Sequence, residues 1–339
     1  MKKLVMIIVA MVGIIFGSSK IVLAENNGSK FSIESATKDS LSSGYIHYRV
    51  EAGQQKDFQI SVINLADNDQ KFRVEVVNAG VTSDASLSYR PDVRVVNTFQ
   101  AKLPDMVTPK KQVITVPAKK SQVLTFHVKV PKAGFSGDVL GGIYVYRVDD
   151  TSKESEQKMG VRNAFSMSLP VHLVSGDETK LTPVLTQSNS KLKTASKEAT
   201  VQTRLTNKTA RVFGGVAMTT TVHNEDDKQL GKIELKDGSM APAGLMEYSV
   251  PLEVSSLSPG VYTVKTKLTS GKRTYNLKDT FTIKKAALEK VAKDTDLTVV
   301  DNTMWYWIVG ILIALVVALI VILIVISRRR RSGGGADDA

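Results

Sequence analysis

The chain of 339 residues contains no cysteine. That excludes a disulfide framework, a thiolate metal centre and a cysteine nucleophile. Histidine is nearly as scarce: His47, His127, His172 and His223 are scattered, and none has a second histidine at metal-ligand spacing. Tryptophan occurs only at positions 305 and 307. A sugar site built on a tryptophan platform is therefore absent upstream of them. No Gly-x-Ser-x-Gly, Gly-x-Gly-x-x-Gly or phosphate-loop pattern is present. No paired acid and base stands out either. The expectation is a protein that is not an enzyme and needs no cofactor.

What the sequence does have begins with two apolar segments. Lys2 and Lys3 precede fourteen mostly apolar residues, 4–17, and Ala24 stands before Glu25. A basic start, an apolar stretch of this length and small or aliphatic residues at −3 and −1 read as a secretory signal peptide over 1–24, cleaved after Ala24. Near the other end, residues 308–326 run for nineteen positions without a polar side chain. As a helix they span about 28 Å, close to the hydrocarbon thickness of a bilayer. Trp305, Tyr306 and Trp307 lie at one edge and Arg328, Arg329, Arg330 and Arg331 at the other. Aromatic rings favour the headgroup region, and arginine clusters stay on the cytoplasmic side. The expectation is a single-pass cell-membrane protein, with a transmembrane helix over 305–327 and a cytoplasmic tail over 328–339. No Leu-Pro-x-Thr-Gly signal precedes the helix; Leu103-Pro104-Asp105-Met106-Val107 is the nearest likeness, far upstream. Retention in the membrane, not covalent transfer to a cell wall, is expected.

The formal charge of +12 separates accordingly. Three lysines sit in the signal segment and a net of two positives in the tail, leaving +7 over residues 25–304. No long basic run remains there, so nucleic acid is not an expected partner. Anionic wall polymers or anionic protein surfaces are.

Between the apolar segments, period-2 alternation dominates. Phe72, Val74 and Val76 alternate with Lys71, Arg73 and Glu75; Leu124, Phe126, Val128 and Val130 do the same further on. Strands are expected at 31–36, 44–50, 55–64, 71–79, 112–116, 122–130 and 139–148. A second set is expected at 199–207, 212–223, 231–235, 247–254, 260–270 and 273–283. Each half contains a strand that ends in asparagine, at Asn64 and Asn207, before a short turn and another strand. The fold class is all-β: two tandem immunoglobulin-like β-sandwiches, with a barrel as the alternative layout. The domains are expected over 29–150 and 161–285, with a stalk over 286–304. The alternation at 161–174 also fits a hairpin return onto 139–148, so the boundary stays open between 150 and 176.

Acidic clusters at Asp67-Asn68-Asp69 and Glu225-Asp226-Asp227 fall where hairpins turn. Turn chemistry accounts for them, with a calcium site as the alternative. Asn27 and Asn207 open glycosylation sequons. Gly141-Gly142 inside a strand marks a bulge, a close backbone approach or the floor of a ligand groove. Tyr144 and Tyr146 share one strand face, where a glycan or peptide contact competes with packing.

Several stretches together resemble the WxL-interacting proteins of Gram-positive bacteria. They are Val50-Glu51-Ala52-Gly53-Gln54 with its following strand, Val116-Pro117-Ala118 through Pro131, and Phe135-Ser136-Gly137-Asp138-Val139-Leu140-Gly141-Gly142-Ile143-Tyr144. Ser239-Met240-Ala241-Pro242, Leu257-Ser258-Pro259-Gly260-Val261-Tyr262 and Phe281-Thr282-Ile283 extend the likeness. The resemblance implies a peptidoglycan-binding first domain. It implies a second domain that docks WxL-domain surface proteins or host extracellular matrix proteins. One departure is Tyr275, where the family pattern leads one to expect tryptophan. Gly141, Gly142, Tyr144, Tyr146, Tyr262 and Tyr275 are the candidate contact residues. The expected role is an anchored adhesin or scaffold; a chaperone-like assembly subunit is the alternative.

Overall fold

A computed structural model describes residues 30–42, 44–96, 101–148, 165–300 and 303–332. The expected signal segment, its cleavage after Ala24, the sequon at Asn27 and the polar stretch 149–158 lie outside the described residues.

The chain forms two compact units. In the first, one sheet runs in the order β1 (Phe31–Ser35), β3 (Gln55–Asn64), β9 (Ser121–Lys129), β7 (Val107–Thr108). The other runs β2 (Ile46–Arg49), β11 (Ser166–Ser175), β10 (Gly137–Arg147), β4 (Gln70–Asn78), β8 (Lys111–Val116). All pairings are antiparallel except that of β2 with β11, which is parallel. The alternation read from the sequence is the cause. Phe72 and Val74 on β4 and Leu124, Phe126 and Val128 on β9 are buried, while the intervening charged and polar side chains turn outward. Phe58 stacks on Phe126 at 5.2 Å and Phe31 tilts against Phe72 at 5.1 Å, filling the space between the sheets.

Strand β11 belongs to this first unit, pairing along ten residues of β10. The second compact unit takes up the main chain at Asp177. The physical reason is the register: Leu169, Val171 and Leu173 lie opposite Ile143, Gly141 and Val139 and complete the same apolar layer.

The second unit has a three-stranded sheet, β12 (Leu185–Ala195), β13 (Glu198–Asn207), β16 (Leu245–Pro251), facing a four-stranded one. The latter is ordered β15 (Gln229–Met240), β14 (Phe213–His223), β18 (Gly260–Ser270), β19 (Arg273–Ile283). Strand β12 had no expectation in the sequence: it is polar, and a bulge between Ser188 and Lys191 breaks its alternation. The core between the sheets holds Val201, Leu205, Met218, Met246, Val264 and Leu268, together with a buried polar triad. Thr220 bonds Thr266 at 2.8 Å, and Tyr248 bonds both at 3.1 Å.

Two segments join this unit from outside the expected strands. Residues Ala79–Ser88, with the small hairpin β5 (Gly80–Val81) and β6 (Leu87–Ser88), belong to it, as do residues 93–96. Ala85 at the hairpin tip is 1% exposed within the second core, and its carbonyl accepts a bond from the Ser239 N–H at 2.6 Å. A Cβ on Gly238 would lie 2.6 Å from the Ala85 Cβ, so glycine is what admits the hairpin tip. The expected stalk is also folded onto the unit. Helix Lys285–Ala292 buries Leu288 and Val291 against Leu230, Leu257 and Tyr262. Thr298–Val299 (β20) then pairs in parallel with Ser256–Leu257 (β17). The final helix, Thr303–Ser332, carries the apolar stretch Trp307–Ile326, long enough to cross a membrane.

Candidate binding face

The outer face of the five-stranded sheet carries a group of neighbouring aromatic and polar side chains. The register places them. Tyr144 on β10 lies between Glu75 on β4 and Ser168 on β11; Tyr146 lies between Arg73 and Ser166. The two tyrosine rings are 5.5 Å apart, and Arg73 donates from Nη1 to the Tyr146 hydroxyl at 3.2 Å. The Arg73 guanidinium also sits 5.9 Å from the Tyr146 ring centroid. Both rings are half-buried, and Glu75 between them and Lys111 is held in a 3.2 Å ion pair.

Further along the same face, His172 on β11 stacks on His47 of β2 at 4.7 Å, and Tyr45 stacks on the far side of His47 at 5.8 Å. His172 Nε2 meets the buried Asp138 carboxylate at 2.9 Å, which holds the ring in place. Ser42 Oγ bonds both the Tyr45 hydroxyl and His47 Nδ1. Tyr89 lies over Gly142, and its carbonyl accepts from Ser168 Oγ at 2.8 Å. Burial, and then the nearby Tyr45, push the Tyr89 hydroxyl up to about 12. It stays a neutral donor at any physiological pH. The face thus offers flat rings, neutral hydroxyls and one fixed guanidinium.

The candidates from the sequence are sorted by this geometry. Tyr144 and Tyr146 are brought together on the outer face. Gly141 and Gly142 mark a close approach by the chain itself. A Cβ on Gly141 would come 2.3 Å from the Val77 carbonyl oxygen and 2.6 Å from Leu103, which plugs that spot from helix Leu103–Met106. On Gly142 it would meet Tyr89 and the Leu169 carbonyl at 3.1 Å. No open groove floor lies there. Tyr262 is 3% exposed and donates to the Ser258 carbonyl at 2.7 Å, so it is a core residue of the second unit. Tyr275 packs against the second core from β19, opposite Leu268. Trp305 and Arg328, Arg329, Arg330 and Arg331 fall on helix Thr303–Ser332, and Trp307 is exposed. Asn207 is fully buried, which closes its sequon in the folded chain. The acidic turn residues engage the chain's own groups: Asp67 pairs with Lys119, Asp69 accepts from the Ala118 N–H, and Asp227 pairs with Lys265. Tyr45, His47, Tyr89 and His172 were not singled out as a site in the sequence. The one available signal was that 47 and 172 sit at polar positions of alternating strands.

The β-sandwich fold and two family-model matches together define a binding protein of the cell surface. Residues 31–147 match the family model for the peptidoglycan binding domain of WxL Interacting Protein, and residues 156–293 match that for its host binding domain. The chain belongs to the WxL-interacting protein family. No curated protein matches the chain by sequence. Among solved structures, a chain of the chaperone–tip adhesin complex of CFA/I fimbriae is similar at 11% identity over 74% of this chain and 97% of that one, with a TM-score of 0.30. The E. coli chaperone DraB is similar at 15% identity over 75% of this chain and 98% of that one, with a TM-score of 0.27. Likeness at that level carries no argument about function.

Proposed function

We propose that the chain is a membrane-anchored surface adhesin or scaffold that holds peptidoglycan on the outer face of its first sandwich. The observation that carries this is the Tyr144–Tyr146 pair with Arg73, placed side by side on a half-buried outer sheet face within the region matched to a peptidoglycan-binding model. Sugar rings stack on tyrosine faces, and a guanidinium with free N–H groups takes the carboxylates and carbonyls of a stem peptide. The second sandwich docks WxL-domain surface proteins or host matrix proteins, by strand pairing at a sheet edge. Both family models describe binding domains, which accords with a non-catalytic role. The helix over Trp307–Ile326 anchors the chain, with Arg328 to Arg331 on the cytoplasmic side and both sandwiches outside.

The test is sedimentation of the detergent-solubilised chain with purified peptidoglycan. The expected result is co-sedimentation, reduced about tenfold or more in the Y144A/Y146A double variant, since each stacked aromatic contributes about 1 kcal/mol. Undiminished binding by that variant would move the site off this face. No sedimentation at any salt concentration would refute the wall-binding role.

A further inference from the structure

The outer face of the four-stranded sheet in the second unit is a lysine–threonine surface. Its rows follow from the register. Lys232, Thr221, Lys265 and Lys278 lie side by side across β15, β14, β18 and β19. The neighbouring row is Glu234, Thr219, Lys267 and Asn276. Inward positions of the same strands hold Met218, Val222, Val264 and Leu268, so alternation alone turns all of these polar groups to one side. Strands in a sheet are about 4.8 Å apart, so four of them set the first row over roughly 14 Å. Lys232, Lys236, Lys267, Asn276 and Lys278 are exposed.

The local charge favours an anion. Here Glu234 pairs with Lys232 and Asp227 pairs with Lys265. Lys236, Lys267 and Lys278 have no carboxylate of their own within ion-pair distance among the described residues. A shallow depression of about 360 Å³ lies beside Lys267 and Lys278, lined also by Thr219, Thr221, Lys265 and Asn276. No aromatic ring lines it, so stacking does not hold an occupant there. Threonine hydroxyls and an amide can bond sugar hydroxyls or sulfate oxygens, and the ammonium groups supply long-range attraction.

We infer that this face is a docking surface for a linear sulfated polysaccharide of a host surface. The inference rests on the host-binding role proposed for the second unit, because the surface lies wholly within the 156–293 match. It adds the ligand class and the face. Spread-out cations with interleaved hydroxyls fit an extended, hydroxylated polyanion better than a compact apolar protein patch.

The experiment uses the full chain in nanodiscs over immobilised heparin, chemically desulfated heparin and polyglycerol phosphate. Heparin is expected to bind and desulfated heparin to lose binding. Added salt should weaken the interaction, and the K267E/K278E double variant should weaken it about tenfold or more. K284E/K290E, which makes the same charge change at the N-cap and in the body of the helix after β19, should leave it nearly unchanged. Equal losses in both double variants would reduce the effect to net charge and overturn the inference. So would undiminished heparin binding in K267E/K278E, or tighter binding to polyglycerol phosphate than to heparin. Retention on fibronectin-coated beads without heparin binding would sink this inference alone. Retention on neither surface would sink the host-binding role beneath it.

Discussion

Asn64 and Asn207 end corresponding strands in the two units, and both are fully buried. Asn64 donates through Nδ2 to the carbonyls of Asn68, Val116 and Pro117 at 2.9–3.1 Å, and its Oδ1 accepts from the Ala66 N–H at 2.9 Å. Asn207 donates to the carbonyls of Arg211 and Ala241 at 2.8 and 2.9 Å and accepts from the Thr209 N–H at 3.0 Å. Each side chain thus clamps the turn that follows it and ties that turn to a distant strand end. The two N–H groups of Asn64 are shared among three carbonyls, so replacement by alanine removes about three full bonds at either position. At about 1 kcal/mol per bond, N64A and N207A should each cost about 3 kcal/mol, with more where a buried backbone group is left without a partner. Aspartate is a sharper probe. It keeps the acceptor but turns a second oxygen toward carbonyl oxygens, so N64D and N207D should be at least as damaging as alanine at neutral pH. The assay is thermal unfolding of the full chain in detergent, followed by circular dichroism in the β-sheet band. Each alanine variant should lower one unfolding transition by roughly 10 °C or more and leave the other in place. A loss below about 1 kcal/mol in both, or an aspartate variant as stable as wild type, would refute the clamp.

Three further perturbations follow from the same packing. G141A should destabilise the first unit by about 2–4 kcal/mol in the same melt, because its Cβ would strike the Val77 carbonyl and Leu103. L288A should cost about 2–5 kcal/mol and expose the helix Lys285–Ala292 to limited proteolysis; an unchanged cleavage pattern would restore the free-stalk picture. Glu247 is held below the ordinary 4.5, first by its hydrogen bonds to Arg204 and then by Arg94, against the opposing effect of burial. A depressed carboxylate stabilises fully above its unfolded value and loses that contribution as pH falls through its folded value. Stability of the second unit should therefore drop below about pH 4.5, and E247Q should be less stable at neutral pH but flatter across that window; a parallel pH profile would remove Glu247 from the account.

Much of the fold could be read from periodicity. The strands at 55–64, 260–270 and 273–283 coincide with the expectation to the residue, because turn residues punctuate clean alternation there. Strand β12 was missed because Ser188-Asn189-Ser190 breaks its pattern, and a bulge is stabilised by partners that a local pattern does not show. The Tyr144–Tyr146 pair was legible because both residues sit on one strand at i and i+2. The His47–His172 stack was not, because its members are 125 positions apart in the sequence and meet only through a parallel pairing.

The sequence by itself determined the class of the protein. Alternation set two β-sandwich halves, the absence of cysteine left them to packing and hydrogen bonds, and the apolar run 308–326 set a membrane-length helix. These are local properties, written in consecutive residues. Only the tertiary structure decided where each unit begins and what fills it. It placed β11 with the first unit, seated Ala85 in the second core against Gly238, and docked the presumed stalk through Leu288 and Val291. The reason is that a short apolar segment looks the same in sequence whichever core takes it, and only the complementary space shows which core that is.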